Sequence, residues 1–269
     1  MSSVYTLARL PCRVMETLPS TWAGLSSSSP LPVAKMVGQA DWGPPDTVIE
    51  EIAIRRMKDM RELFRNSENY DDDYPLYYMY NGIYRSAHKE IFKSQHIRYE
   101  YTILMPQTIH KEMMKAHGHI HGVHPIKKTR HIEAYEVLQG TGFFELFAYE
   151  ENSIQVIMLN VKPGDYLIIP SGYYHLSINT GKDPFIFGDL IIEDANSEYG
   201  HLKEMKGAPV YVMEGASGLP EFVLNKQYHE HEIRITQLNA EEVPWENPVD
   251  PIPLYAHFIS DPDAFSFLK

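Results

Sequence analysis

Four side chains in this sequence have the types and spacing to hold a transition metal. His119 and His121 lie two residues apart, so on an extended chain both imidazoles leave the same face. His175 follows the turn Pro170-Ser171-Gly172, which lets it arrive from a neighbouring strand. Glu133 opens the apolar run Glu133 to Leu138. Three imidazoles and one carboxylate suit Fe(II), Mn(II), Ni(II) or Zn(II) better than Mg(II) or Ca(II). The pair alone does not mark a site. The chain carries 13 histidines, and His117-Gly118-His119 and His229-Glu230-His231 show the same spacing.

The surrounding residues separate the two readings. Gly164, Pro170, Gly172, His175 and Asn179 resemble the second cupin motif at every spacing. Gly118-His119-Ile120-His121, followed by Glu133 and Gly140, resembles the first. The first motif departs in one respect, because the spacer from Gly122 to Ile132 is longer than cupins usually have. Glu133 keeps the motif's distance to Gly140 and Glu136 does not, and strand parity places the two on opposite faces. Glu133 is therefore the expected carboxylate ligand.

Beyond the motifs, residues 99–214 resemble the cupin-type phosphoglucose isomerases first associated with archaea. The matching segments are Thr102-Ile103-Leu104-Met105-Pro106, Glu133 to Gly142, Pro184-Phe185-Ile186-Phe187, Asp194-Ala195 and Tyr199-Gly200. The resemblance implies a homodimeric β-barrel that interconverts glucose 6-phosphate and fructose 6-phosphate. It implies one divalent metal per chain, iron ahead of Mn, Ni or Zn, on His119, His121, Glu133 and His175. It further implies phosphate contacts at Thr102 and Gly118, a substrate-lining Tyr199, and a looser match for a substrate tyrosine at Tyr78. Ala116, Ile191 and Ser197 stand where the family tends to have Thr, Tyr and His, around the sugar phosphate or the reacting end. Two mechanisms stay open. In one, Glu133 is ligand and proton-shuttling base. In the other, a hydride shift leaves Glu133 as ligand only, and Tyr199 assists proton movement on oxygen. Isomerisation or epimerisation of another sugar phosphate, Fe(II) dioxygenase chemistry on the same ligand set, and silent sugar binding are the alternative functions.

These residues need elements to carry them. From about residue 76, short β-branched and aromatic runs alternate with Gly and Pro turns, which predicts a mainly β protein of sandwich or barrel type. With the motifs, this becomes a cupin jelly-roll barrel over residues 76–214. Thr47 and Glu50 have capping-box spacing, and Ile49, Ile52, Ala53, Met57, Met60 and Leu63 fall near a 3.6 period, which predicts a helix over 47–65. Together with an irregular, proline-broken arm it makes up residues 1–75. Residues 215–269 read as an irregular extension packing on the barrel or on a partner subunit.

Composition narrows the function further. The formal charge of −12 argues against a nucleic-acid binder or an anionic membrane surface. No apolar run approaches the ~18 residues of a membrane helix. The single Cys12 excludes an intrachain disulfide framework and a Cys-rich zinc site, and fits a cytoplasmic protein. Lys127, Lys128 and Arg130 lie in the long spacer between ligands. They offer charge for a phosphate dianion, although a solvated loop is the plainer reading. His124 and His131 in the same spacer read as loop histidines rather than ligands.

Overall fold

From Thr47 onward the chain is dominated by antiparallel strands. The computed structural model describes residues 46–246 and 253–269, so the arm expected over residues 1–45 lies outside the described residues. In chain order the strands are β1 (Thr47–Arg56), β2 (Pro75–Arg85), β3 (Ile97–Leu104), β4 (Thr108–Ile109), β5 (Glu112–Met113) and β6 (Ile120–His121). There follow β7 (Glu133–Gln139), β8 (Gly142–Tyr149), β9 (Ser153–Val161), β10 (Tyr166–Ile169), β11 (Tyr174–Asn179) and β12 (Phe185–Ile192). The last are β13 (Ser197–Glu198), β14 (Val210–Glu214), β15 (Pro220–Leu224) and β16 (Glu232–Asn239). Among the described residues four short α-helices join them: α1 (Met57–Met60), α2 (Lys89–Gln95), α3 (Gly200–Glu204) and α4 (Leu254–Ser260).

Six strands form one sheet in the order β1-β2-β3-β12-β7-β10, and four form a second in the order β11-β8-β9-β16. The larger core holds Tyr77, Leu104, Tyr135, Val137 and Phe187 from the first sheet with Phe144, Leu146, Ile157 and Leu176 from the second. It is therefore the layer between the sheets of a cupin jelly roll. Strand alternation sends the neighbours of these residues to the other face. Tyr78, Ile103, Ala134 and Ile186 join a second core with Phe92 of α2 and Leu254, Tyr255 and Phe258 of α4.

The helix expected over 47–65 is not formed. Thr47–Arg56 is a strand, and only Met57–Met60 and the 3-10 turn Arg61–Leu63 are helical. The reason is the partner strand. β1 pairs with β2 along its whole length, and Glu50 does not cap a helix. Its Oε1 accepts a hydrogen bond from Tyr84 Oη at 3.0 Å, and Glu51 Oε2 accepts one from Asn81 Nδ2 at 2.9 Å. The helical turn begins ten residues later, where Asp59 Oδ2 accepts the Arg56 N–H at 2.9 Å.

The C-terminal extension is more regular than its composition predicts. β15 pairs with β14, and β16 pairs in parallel with β9 from Glu232↔Ser153 to Asn239↔Asn160. Helix α4 closes the outer face of the large sheet: Glu136 Oε2 accepts the Leu254 N–H at 2.7 Å, and Tyr255 Oη accepts the Arg85 N–H at 2.9 Å.

Candidate metal centre and its cavity

His119, His121, Glu133 and His175 converge, with one ligand atom from each lying within 4.8 Å of the others. Three elements bring them together. The chain before β6 runs antiparallel beside β11, with the Ala116 N–H donating to Ser177 O at 2.8 Å and the His119 N–H to His175 O at 3.1 Å. The two-residue spacing then sets the His119 and His121 rings 4.7 Å apart between centroids, and His119 lies 4.4 Å from the His175 ring. Glu133 is the first residue of β7 and reaches the group from the opposite sheet, its Oε2 2.8 Å from His121 Nε2 and 3.3 Å from His175 Nε2.

The motif glycines and asparagine are explained by backbone geometry. Gly118 has φ +74°, and a Cβ there would come 3.0 Å from Leu176 Cβ and from Leu202 Cδ1, so only glycine brings the chain into His119 at this angle. Asn179 ties the end of β11: its Nδ2 donates to Leu104 O at 2.9 Å and Asp183 O at 3.0 Å, while its Oδ1 accepts the Gly181 N–H at 2.9 Å.

The donor set fits a divalent transition metal. His175 Nδ1 donates to Tyr173 O at 3.5 Å, which leaves Nε2 turned to the cluster with its lone pair. That buried Nε2 has no hydrogen-bond partner, and neither has His121 Nδ1. Orphaned buried imidazole nitrogens beside a carboxylate are costly without a cation to satisfy them. Burial, with the neighbouring rings of His175 and His121, pushes His119 well below the usual imidazole value, so at pH 7 it is neutral and able to donate a lone pair to a metal. Burial alone would raise Glu133, but His121 and His175 outweigh it and hold the carboxyl ionised. Glu136 points away. It accepts from Tyr166 Oη at 3.1 Å and from the backbone of Leu254, as parity predicts.

The cluster lines a cavity of about 130 Å³. Thr102, Gly118 and Tyr199 line it too, and so do Ala116, Ile191 and Ser197, the three positions that depart from the family pattern. The Tyr199 ring stands edge-on to His117 at 4.5 Å and lies 5.7 Å from His119. Ser197 pairs directly with His121 across β13 and β6.

Tyr78 is not in this cavity. It is buried in the outer core, while its neighbours Tyr77 and Met79 line the site. One residue on a strand reverses the face, so β2 turns Tyr77 rather than Tyr78 toward the cavity. The basic spacer is also elsewhere. Lys127 reaches the backbone of Lys269, and Arg130 pairs with Glu198 at 3.0 Å; neither they nor Lys128 line the cavity. The His124 and His131 rings lie 5.4 Å apart and tilted to one another, outside the His/Glu cluster.

No local motif marks several other cavity residues. Arg55, expected inside a helix, projects from β1 into the site. Its Nε donates to Tyr77 Oη at 3.3 Å, and its guanidinium lies 5.8 Å from the Tyr199 ring centroid. His117 adds no charge at neutral pH, since burial brings its pKa down to about 4; its Nδ1 donates to Gly118 O at 3.0 Å. Arg98, Glu100 and Asp189 complete the wall. Arg98 Nε sits 2.9 Å from Glu100 Oε1, and burial raises Glu100 to about 7. The alternation of β3 and β12 signals that these side chains face inward. Nothing in the local sequence signals which strands lie opposite them.

Among solved structures, hazelnut (Corylus avellana) vicilin overlaps with a TM-score of 0.35 at 12% identity, covering 50% of this chain and 34% of that one. Among curated proteins, a glucose-6-phosphate isomerase of Thermococcus onnurineus is 29% identical over 165 residues, 60% of this chain and 80% of the relative. That of Pyrococcus abyssi is 28% identical with the same shares covered. A family match spans residues 54–230, taking in β2 to β15 and all four cavity ligands. The chain belongs to the glucose-6-phosphate isomerase (GPI) family.

Proposed function

We propose that the protein is a metal-dependent aldose–ketose isomerase interconverting glucose 6-phosphate and fructose 6-phosphate. The observation that carries this reading is the convergence of His119, His121, Glu133 and His175 inside a cavity that a half-buried arginine, Arg55, also lines. Fe(II) is the metal proposed, ahead of Mn(II), Ni(II) and Zn(II), on the family resemblance; the mixed imidazole and carboxylate donor set suits all four. A homodimer and a cytoplasmic location complete the proposal. They rest on the family resemblance and on a sequence with one cysteine and a charge of −12.

Held by these four residues, the cation supplies Lewis-acid polarisation of the sugar carbonyl and its neighbouring hydroxyl. The chain's own residues do the rest. Arg55, Thr102 and the glycine backbone at Gly118 bind the phosphate. Glu133 moves the proton between C2 and C1, and Tyr199 assists proton movement on oxygen. Glu133 has the ionised form this task needs and sits among the reacting groups.

The test is a coupled assay on chelator-stripped protein reconstituted separately with each metal. Metal-restored interconversion that disappears in His175→Ala supports the function; confirmed metal binding with no interconversion overturns it. Turnover in deuterated water separates the mechanisms. Deuterium at C1 or C2 of product supports proton transfer, and its absence over many turnovers assigns Glu133 to the ligand role alone.

A further inference from the structure

Asp189 lies in the middle of β12, level with Glu100 on one side and Tyr135 on the other. It is 4% exposed and lines the cavity. Arg98 holds the neighbouring Glu100; Asp189 stands against the Glu133 carboxyl, and its Oδ2 has no donor among the described residues. A buried acceptor left unpaired is costly unless a ligand completes it.

The register says where along a ligand this acceptor falls. β3 and β7 both pair antiparallel with β12, so they run in the same direction. Thr102 stands two residues beyond Glu100 on β3. Glu133 stands two residues before Tyr135 on β7. All are on the inward face, so the Asp189 row separates Glu133 from Thr102 by one strand repeat on each side. At about 3.3 Å per residue, Glu133 and Thr102 are on the order of 13 Å apart along the strands. A hexose phosphate with its carbonyl end at the metal ligands and its phosphate toward Thr102 lays its middle carbons over this row.

We propose that Asp189 is a specificity-determining residue that hydrogen-bonds the hydroxyls on the middle carbons of the sugar chain, selecting polyhydroxylated substrates. A carboxyl oxygen can accept from such a hydroxyl. A site built around a substrate hydroxyl strongly rejects the analogue that lacks it, because its own polar group is then stranded. The inference rests on the isomerase reading for the direction of the substrate, but its test does not need turnover.

The probes are glucitol 6-phosphate, which has no carbonyl to react, and its 3-deoxy and 4-deoxy forms. They are titrated calorimetrically into the metal-loaded full-length protein. The wild type is expected to bind at least one deoxy form roughly tenfold or more weakly than the parent. Asp189→Ala, loaded to the same metal content, is expected to bind the parent as weakly as that deoxy form. Asp189→Asn, which keeps a hydrogen-bonding side chain, should retain part of the discrimination. Equal binding of parent and deoxy forms by the wild type, or full discrimination retained in Asp189→Ala, overturns the proposal. If the wild type binds no phosphorylated hexitol, the isomerase reading fails and unphosphorylated glucitol decides. Asp189-dependent discrimination between glucitol and its deoxy forms upholds this inference; its absence overturns it.

Discussion

His119 and His175 are joined back to back by two main-chain hydrogen bonds, His119 N–H to His175 O at 3.1 Å and His175 N–H to His119 O at 2.9 Å. Two ligands from distant parts of the sequence are thus placed by backbone rather than by side-chain packing. The consequence is that either imidazole can be removed without loss of the frame that held it. His175→Ala should keep the far-ultraviolet circular dichroism of the wild type and lose metal affinity at least about 100-fold, more than second-shell substitutions usually cost. Metal content after dialysis and the dichroism spectrum together check this. Loss of folded signal would show the ring, not the bridge, to be the structural element.

Metal removal should lower thermal stability, by an amount that grows with the logarithm of the free metal concentration before removal. At free metal one hundred times its Kd, the bound state gains about 2.7 kcal/mol over the stripped protein. The melting midpoint should therefore fall on chelation and recover on adding metal back. His175→Ala should melt at one temperature with or without chelator.

Arg55 is the cavity cation on the side of Tyr77 and Tyr199, because His117 is neutral at pH 7. Removing a charged partner of a phosphate costs about 1.5–3 kcal/mol. Arg55→Ala should thus lower kcat/KM for phosphorylated sugars on the order of 10–100-fold, mostly through KM. Inorganic phosphate should inhibit the wild type and lose that effect in the variant. Unchanged inhibition would place the phosphate elsewhere.

Lys115 and Glu112 form a buried ion pair below the site. Lys115 Nζ also donates to Leu63 O at 2.7 Å, and Glu112 Oε2 accepts the Arg65 N–H at 2.7 Å. The ammonium lies 5.0 Å from the ring centroids of both Phe64 and Tyr211. Lys115→Met leaves a buried carboxylate without its charge partner and should cost about 3–5 kcal/mol in urea unfolding. Adding Glu112→Gln should recover much of that, since the amide still accepts from Arg65 and carries no charge.

Glu145 gives the protein a pH-dependent stability. Burial raises its carboxyl to about 8, against which the Val210 N–H, donating to Oε1 at 3.0 Å, is a smaller influence. The folded state therefore binds more protons than the unfolded chain between about pH 4.5 and 8. This contribution is fully present below that window and is lost as pH rises through about 8, with a slope of up to ~1.4 kcal/mol per pH unit. Denaturant midpoints measured across this range should fall for the wild type. Glu145→Gln should flatten the fall, and a profile unchanged by the substitution would exclude Glu145 as its source.

The chemistry of the centre was legible in the sequence because it depends on residue type and short spacing. His119 and His121 share a face by strand parity alone, and the glycines and Asn179 of the motifs mark turns whose backbone geometry few other residues accept. The same parity distinguishes Glu133 from Glu136. What the sequence could not decide was everything set by a partner strand. An apolar stretch such as Val48 to Ile54 fits a helix or a strand until β2 is beside it, and that pairing moved Arg55 from an expected helix into the cavity. It placed Tyr77 inside and Tyr78 outside, a distinction of one residue that only register fixes. Asp189, Glu100 and Tyr135 come from three strands far apart in sequence, and no local pattern announces that they form one row. Spacing along a chain determines which side chains share a face; only the order and register of the sheets determine which faces meet.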